Sequence, residues 1–220
     1  MTVARSYPDS CGTAHALELV GERWALLVAR ELMLGPKRYS DLLADLPGIS
    51  TNVLSARLGE LERTGVVRRR RLPPPAASAV YELTPWGREL EPIIRAIGRW
   101  AAASPLHDTT QHLSVTSFVL SLRTNADPGA LAGPPLVIQL VLEGDAFVAE
   151  LGESHFRIER GTTDKSDAVV TGPPPVLAGI VYGGQPVADA VADGLIEVTG
   201  NAAAFQEFAG CFPLPEKASA

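Results

Sequence analysis

The side chains with the clearest chemical potential in this 220-residue chain lie between residues 49 and 71. The stretch closes on four consecutive arginines, Arg68, Arg69, Arg70 and Arg71. Each guanidinium can donate paired hydrogen bonds to a phosphate. Like charges in a row on a short strand repel one another unless an anion lies nearby, so we expect these arginines to contact a phosphate backbone. The alternative, and the usual role of a charge run, is a solvated surface.

The residues ahead of the arginines predict an amphipathic helix from Ser50, a suitable N-cap, to about Thr64, with Gly65 ending it. Its buried stripe is predicted at i, i+4 and i+7, on Leu54, Leu58 and Leu61. Small polar groups on the outer face would let the helix enter a major groove, which is about 12 Å wide. Candidates for contact with base edges are Thr51, Asn52, Ser55 and Ala56. The alternative is an ordinary solvated helix face.

Three further cations are weaker candidates for phosphate contact. Lys37 and Arg38 lie in a turn after Gly35-Pro36, which ends a predicted helical region over residues 13–34 that Gly21 divides. Arg57 could equally pair with Glu60, three positions later on the same helix.

The elements around these residues predict a helical unit with a protruding hairpin. Ser40 is predicted to cap a short helix through Leu46. Two strands, 66–72 and 80–83, flank a stiff proline-rich loop and form a β-hairpin, or wing.

A helix that starts at Thr84-Pro85 follows the hairpin. Its apolar residues repeat with a period of 3.5, which is typical of helix–helix dimers, and Pro92 predicts a kink. We therefore predict a homodimer interface on Trp86, Leu90, Ile93, Ile97 and Trp100.

Charge divides the chain into two parts. Residues 1–104 hold 14 Lys and Arg against 11 Asp and Glu, a net of +3, while residues 105–220 hold 5 against 14, a net of −9, which together give the −6 of the whole chain. This asymmetry favours a domain over residues 1–101, a linker over 102–113 and a second domain over 114–220. Only the first part is suited to contact nucleic acid.

The location that the sequence predicts is cytoplasmic. Cys11 and Cys211 lie one in each half, which does not suit a disulfide scaffold. The first ten residues lack the apolar core of a signal peptide, and no apolar run is long enough to span a membrane.

Beyond the linker the hydrophobic period changes to two. We predict strands over residues 114–123, 136–143, 146–151, 154–160, 167–171 and 195–198. Helices are predicted over residues 174–182, 187–192 and 202–212. Strands followed by helices indicate an α+β fold.

Aromatic side chains of the second half could line a ligand pocket: Phe118, Phe147, Phe156, Tyr182, Phe205, Phe208 and Phe212. The alternative is solid core packing, the commoner use of such residues. The four histidines are scattered without metal-ligand spacing, and we find no phosphate loop or nucleophile motif. We therefore expect no catalytic residue, no metal and no cofactor.

The first half closely resembles the HxlR family of winged-helix transcriptional regulators over residues 11–101. The motifs are a Cys ahead of the first helix, Gly-x-Arg-Trp at 21–24, GPKRYSDL at 35–42, the segment PGIS to ELE at 47–62, and YELT at 81–84. The resemblance implies a dimer with each recognition helix in a major groove of a pseudo-palindromic DNA operator. It also implies that Cys11 could be a redox or electrophile sensor; the alternative is a small buried residue.

The second half resembles the sterol-carrier-protein-like fold over residues 114–213. The residues concerned run from Asp167 to Phe208, with the pattern of Gly, Ala and Phe in GGQPVADAVADGLIEVTG and FQEF. This resemblance implies a sheet covered by helices around an apolar cavity.

We therefore interpret the chain as a dimeric DNA-binding regulator whose second domain senses an apolar small molecule. One alternative is a lipid-binding or carrier protein whose winged helix serves protein association. Another is a thiol-based regulator that acts through Cys11.

Overall fold

The computed structural model describes residues 7–74 and 77–219, and the chain divides into two compact units, Met1–Ile94 and Arg95–Ala220. The tip of the predicted hairpin loop, residues 75 and 76, lies outside the described residues. Within the described ranges we find no helix long and apolar enough to cross a bilayer.

The first unit is a small helical bundle that carries a two-stranded hairpin. Its elements are α1 (Gly12–Val20), α2 (Ala25–Glu31), α3 (Tyr39–Asp45), α4 (Thr51–Arg63), β1 (Val67–Arg71), β2 (Ala79–Leu83), α5 (Pro85–Arg88) and the start of α6 (Leu90–Ala102). The predicted stripe of α4 is confirmed, since Leu54, Leu58 and Leu61 are all buried in the core. They pack with Val28 and Leu42 and so fix which face of α4 points outward.

Local signals set the ends of these helices. The Ser50 hydroxyl accepts the N–H of Val53, which caps α4, and Gly65 ends the helix in a left-handed conformation with φ of 77°. The predicted cap of α3 was wrong by two residues, because the N-cap is Arg38 rather than Ser40 and the helix begins at Tyr39. Its cap is formed instead by the Asp41 carboxylate, which accepts the backbone N–H of Arg38 at 3.0 Å.

The helix after the hairpin is interrupted, and the break lies at Glu89 between α5 and α6. Pro92 has no N–H for the carbonyl of Arg88, one turn earlier, so the helical hydrogen-bond pattern is interrupted at Glu89 and resumes at Leu90, although the backbone of Glu89 stays in the right-handed helical region. Pro92 itself lies in the first turn of α6, where proline is tolerated.

The second unit is a five-stranded sheet with helices, so the α+β prediction is confirmed. The strands are β3 (Leu136–Leu142), β4 (Asp145–Leu151), β5 (Phe156–Arg160), β6 (Ala168–Thr171) and β7 (Glu197–Gly200), in the order β5-β4-β3-β6-β7. Only the β3–β6 pair is parallel. The helices are α7 (Val115–Asn125), α8 (Pro174–Gly183), α9 (Val187–Ala192) and α10 (Ala202–Ala209).

The predicted first strand of this unit, residues 114–123, was wrong, because that segment forms α7. The Ser114 hydroxyl accepts the N–H of Ser117 at 3.1 Å and caps the helix. Phe118, Leu120 and Leu122 do not share a strand face, but all three are buried. A short helix with buried residues on most sides has no single apolar stripe, so its sequence pattern cannot be separated from that of a strand.

Candidate nucleic-acid interface

The outer face of α4 is polar and open to solvent. Thr51, Asn52, Ser55 and Ala56 are all exposed, opposite the buried leucine stripe. The arrangement presents one amide, two hydroxyls and the methyl groups of Thr51 and Ala56, which are able to contact base edges in a groove.

Tyr39 fixes the first turn of α4, a role that the sequence did not predict. Its hydroxyl donates to the backbone carbonyl of Thr51 at 2.6 Å and lies 3.2 Å from the Ser55 hydroxyl oxygen. Because the single phenolic proton is used on Thr51, the Ser55 hydroxyl is the donor in the second bond. Tyr39 comes from the short helix α3, and no spacing rule in the sequence links it to α4.

One face of the hairpin is built around Glu82. Arg68 lies directly opposite Glu82 in the β1–β2 register, and its Nε lies 2.8 Å from one carboxylate oxygen. Nε of Arg70 lies 2.9 Å from the other oxygen. Burial raises the pKa of Glu82, but the hydrogen bonds and charges of Arg70 and Arg68 outweigh it, so that the pKa lies below its ordinary value. Glu82 therefore keeps its charge and orders both arginines.

The other face of the hairpin carries Arg69 and Arg71. The guanidinium of Arg69 lies over the ring of Tyr81, its partner in the register, at 5.8 Å from the ring centroid. Nε of Arg71 donates to the carbonyl of Ala77 at 3.1 Å. All four arginines are exposed, so β1 presents positive charge on both faces.

Lys37 is a structural link between elements of the first unit. Its ammonium lies 2.9 Å from the buried Glu31 carboxylate and 2.6 Å from Asp45. Its backbone exchanges hydrogen bonds with Tyr81 of the hairpin at 3.0 and 2.9 Å. These contacts compete with any phosphate for the ammonium, so the structure does not favour the predicted phosphate role of Lys37.

The other two weaker candidates also have protein partners. Nε of Arg38, an exposed residue, donates to the Ser78 hydroxyl near the hairpin loop at 3.2 Å. The Arg57 side chain is only 14% exposed and lies 2.8 Å from Glu60 and 3.3 Å from Glu22. The structure thus favours the ion-pair alternative for Arg57 and leaves Arg38 near the wing.

The predicted dimer seam forms an exposed apolar face. Trp86 and Ile93 are each 51% exposed, and Trp100 is 79% exposed. Ile97 is exposed as well, while Leu90 is half-buried against the core of the first unit. Large apolar side chains at this exposure are typical of protein interfaces.

The two cysteines have opposite environments. Cys11 is exposed just before α1, and the backbone N–H of Thr13 is the largest of the hydrogen bonds that lower the pKa of its thiol. Cys211 is buried, and burial raises the pKa of its thiol. Of the two, Cys11 is the thiol suited to reaction.

The aromatic side chains predicted to line a pocket are mostly core residues. Phe118, Phe147, Phe205, Phe208 and Phe212 are at most 2% exposed. Phe208 and Phe212 are in ring contact at 4.8 Å between centroids, and Phe156 packs on Phe212 at 5.1 Å. The Tyr182 hydroxyl lies 2.6 Å from that of Ser121, and burial is the main cause that raises its pKa to about 12. The structure thus favours core packing over a ligand pocket for this set.

Two family models match successive parts of the chain. The model of the HxlR-like helix-turn-helix family matches residues 19–108, and that of the alkyl sulfatase C-terminal domain matches residues 104–218.

Curated relatives match the first part of the chain. The uncharacterized HTH-type transcriptional regulator YvaP of Bacillus subtilis is 41% identical over 39% of this chain and 80% of its own length. The HTH-type transcriptional regulator YodB of the same species is 37% identical over 39% of this chain and 77% of its own length. A solved structure of reduced YodB is 33% identical and covers 46% of this chain and 100% of that chain, with a TM-score of 0.40.

Proposed function

Since this chain belongs to the HxlR-like helix-turn-helix family, we propose that it is a DNA-binding transcriptional regulator. In this proposal α4 enters the major groove, and the wing formed by β1 and β2 lies along the phosphate backbone. The observation that carries the proposal is the exposed polar face of α4, followed along the chain by four exposed arginines on β1.

The proposal gives different tasks to helix and wing. Thr51, Asn52, Ser55 and Ala56 would contact base edges, where Asn pairs with adenine and small side chains contact the thymine methyl. The four arginines would contact phosphates and fix the orientation of the unit without selecting a sequence. Because none of the four base-contact candidates is an arginine, DNA shape and operator spacing should carry part of the specificity.

We propose that the protein acts as a homodimer through α5 and α6. A second copy would cover the exposed face of Trp86, Ile93, Ile97 and Trp100, with Leu90 at its edge. Two copies would then present their recognition helices to successive major grooves, about 34 Å apart, on a pseudo-palindromic operator. The second unit would bind a small-molecule effector within a sterol-carrier-like domain.

The first experiment compares two DNA fragments of equal length, the region upstream of the protein's own coding sequence and a scrambled version of it. Replacing Asn52 and Ser55 together by Ala should lower affinity for the native fragment about tenfold or more and leave the scrambled one nearly unchanged, since each base contact contributes about 1–3 kcal/mol. Fluorescence anisotropy at fixed salt measures both affinities. Sedimentation of the same samples should give a dimer mass, twice the 23.3 kDa of one chain.

Glu62→Ala on α4 is the matched control. It removes an exposed negative charge and should raise affinity for both fragments alike. If the wild-type protein prefers neither fragment, with and without added ligand, the regulator proposal is wrong, and a carrier protein that uses its winged helix for protein association becomes the better description.

The exposure and lowered thiol pKa of Cys11 favour a second candidate, a thiol-based regulator. This candidate predicts that diamide changes the DNA affinity of the wild-type protein, because the thiolate is the reactive form. Cys11→Ser should abolish the response, whereas Cys211→Ser should retain it. A response that survives in Cys11→Ser would rule out the thiol mechanism through this residue.

A further inference from the structure

A cavity of about 390 Å³ opens in the second unit, and all of its lining residues belong to that unit. The volume is within the range of small-molecule sites. Of the seven aromatic residues that the sequence predicts to line a ligand pocket, Phe156 alone lines this cavity. It is therefore a different place from the pocket that the sequence predicts.

The lining of this cavity is basic although the unit is acidic. Residues 95–220 contain 7 Lys and Arg against 14 Asp and Glu, and three of those seven, Arg95, Arg123 and Arg157, line the cavity. The acidic residue among the lining is Glu159. The three arginines and the one glutamate together give the lining a net charge of +2. Cations concentrated in a concave site raise the local concentration of anions.

Hydrogen bonds to the backbone hold two of these arginines in place. Nη2 of Arg123, on α7, donates to the carbonyl of Ile158 in β5 at 2.9 Å. Nη2 of Arg95, on α6, donates in turn to the carbonyl of Arg123. A guanidinium carries five N–H donors in a fixed fork, so a bond to a carbonyl is compatible with a bond to a ligand oxyanion.

The third arginine is held by a weaker contact. Arg157 pairs with Glu159 at 2.7 Å, and both side chains are about 60% exposed. Exposed pairs of this kind contribute little energy, because water screens them. An anion bound in the cavity can therefore replace Glu159 as the partner of Arg157 at a small cost in free energy.

The remaining walls include the half-buried apolar residues Phe156, Pro128 and Ala126, whereas Ile158 is only 1% exposed. We propose that this cavity binds an amphipathic organic acid, with its carboxylate or a similar oxyanion against the arginines and its apolar body against Phe156 and Pro128. The site stands apart from DNA binding, while its use as the effector site rests on the proposed function.

Isothermal titration calorimetry on the full-length protein without DNA tests the site. The probes are sodium octanoate, octan-1-ol as the neutral analogue of equal chain length, and sodium sulfate as a free oxyanion. Octanoate should bind at least about tenfold more tightly than octan-1-ol, since charge-assisted hydrogen bonds are about twice as strong as neutral ones. Sulfate should bind more weakly than octanoate, because it gains nothing from the apolar walls.

Variants at two arginines of the same strand separate the site from general charge. Arg157→Gln should weaken octanoate binding about tenfold or somewhat less, given the exposure of the side chain. Arg160→Gln is the matched control, since Arg160 also lies in β5 and pairs with Asp145 but does not line the cavity. It should change the affinity less than about twofold, as expected for a distant and screened charge. Arg123→Lys keeps the charge, removes the fork and should also weaken binding.

Three results would overturn the proposal: octanoate and octan-1-ol bind alike, sulfate binds as tightly as octanoate, or Arg157→Gln and Arg160→Gln have equal effects. Thermal unfolding of each variant in the absence of ligand shows whether it is folded. Because no DNA is present, a failure here leaves the DNA-binding proposal standing, and a failure of DNA binding leaves this site standing.

Discussion

The two units both concentrate arginine, but they present it in opposite ways. In the wing, four arginines project into solvent from one five-residue strand, with Glu82 and Tyr81 of the neighbouring strand behind them. In the second unit, three arginines from α6, α7 and β5 converge on a cavity of about 390 Å³. A projecting row of charge suits a polymer with regularly spaced phosphates, whereas a concave cluster suits one small anion.

The wing should give the largest effect, and its two faces should differ. Arg69→Ala with Arg71→Ala should lower DNA affinity about tenfold to a hundredfold at low salt and reduce the salt slope by about 0.9 for each lost phosphate contact. The loss should be the same for native and scrambled DNA, because phosphate contacts do not select a sequence. Anisotropy titrations at several salt concentrations measure both quantities.

The opposite pair, Arg68→Ala with Arg70→Ala, distinguishes the two faces of the wing. It strips the buried Glu82 of two ion-pair partners, so it should also lower the thermal unfolding midpoint at neutral pH. Since the pKa of Glu82 lies below its ordinary value, the stability from these pairs is present above that ordinary value and is lost as the pH falls through the lowered one. Equal unfolding midpoints for the two double variants would contradict the assigned role of Glu82.

The smallest effect is expected when a variant of the cavity is tested for DNA binding. Without octanoate, Arg157→Gln should change DNA affinity less than about twofold and leave the salt slope unaltered, because this arginine belongs to the cavity and contacts no phosphate. The titration used for the wing variants measures it, with Arg160→Gln as the comparison. A drop in salt slope close to that of the wing variant would remove the distinction between the two arginine clusters.

The first unit was predictable because its information is local. Ser50, the leucine stripe and Gly65 define α4 within sixteen residues, and the arginine run lies directly after them. Contacts between distant residues were not predictable in the same way. Lys37 appears as a free cation in the sequence, but the fold places Glu31, Asp45 and the backbone of Tyr81 around it.

The second unit shows what periodicity cannot supply. Strands β3 to β6 alternate buried and less buried residues and were predicted close to their bounds. The segment that forms α7 has buried residues on most sides of the helix, and the prediction of a strand there was wrong. Arg95 and Arg123 lie 28 positions apart on different helices, and only the folded chain brings them to one cavity. The large aromatic side chains predicted to line a pocket mainly fill the core.

The most direct test of the central proposal, that α4 and the wing bind DNA, is a salt titration of the wild-type protein on the native and scrambled upstream fragments. We predict a preference for the native fragment at all salt concentrations and a steep decrease in affinity with salt for both fragments, with a slope of about 0.9 per phosphate contact. Equal affinity for the two fragments, or an affinity that does not depend on salt, would contradict it.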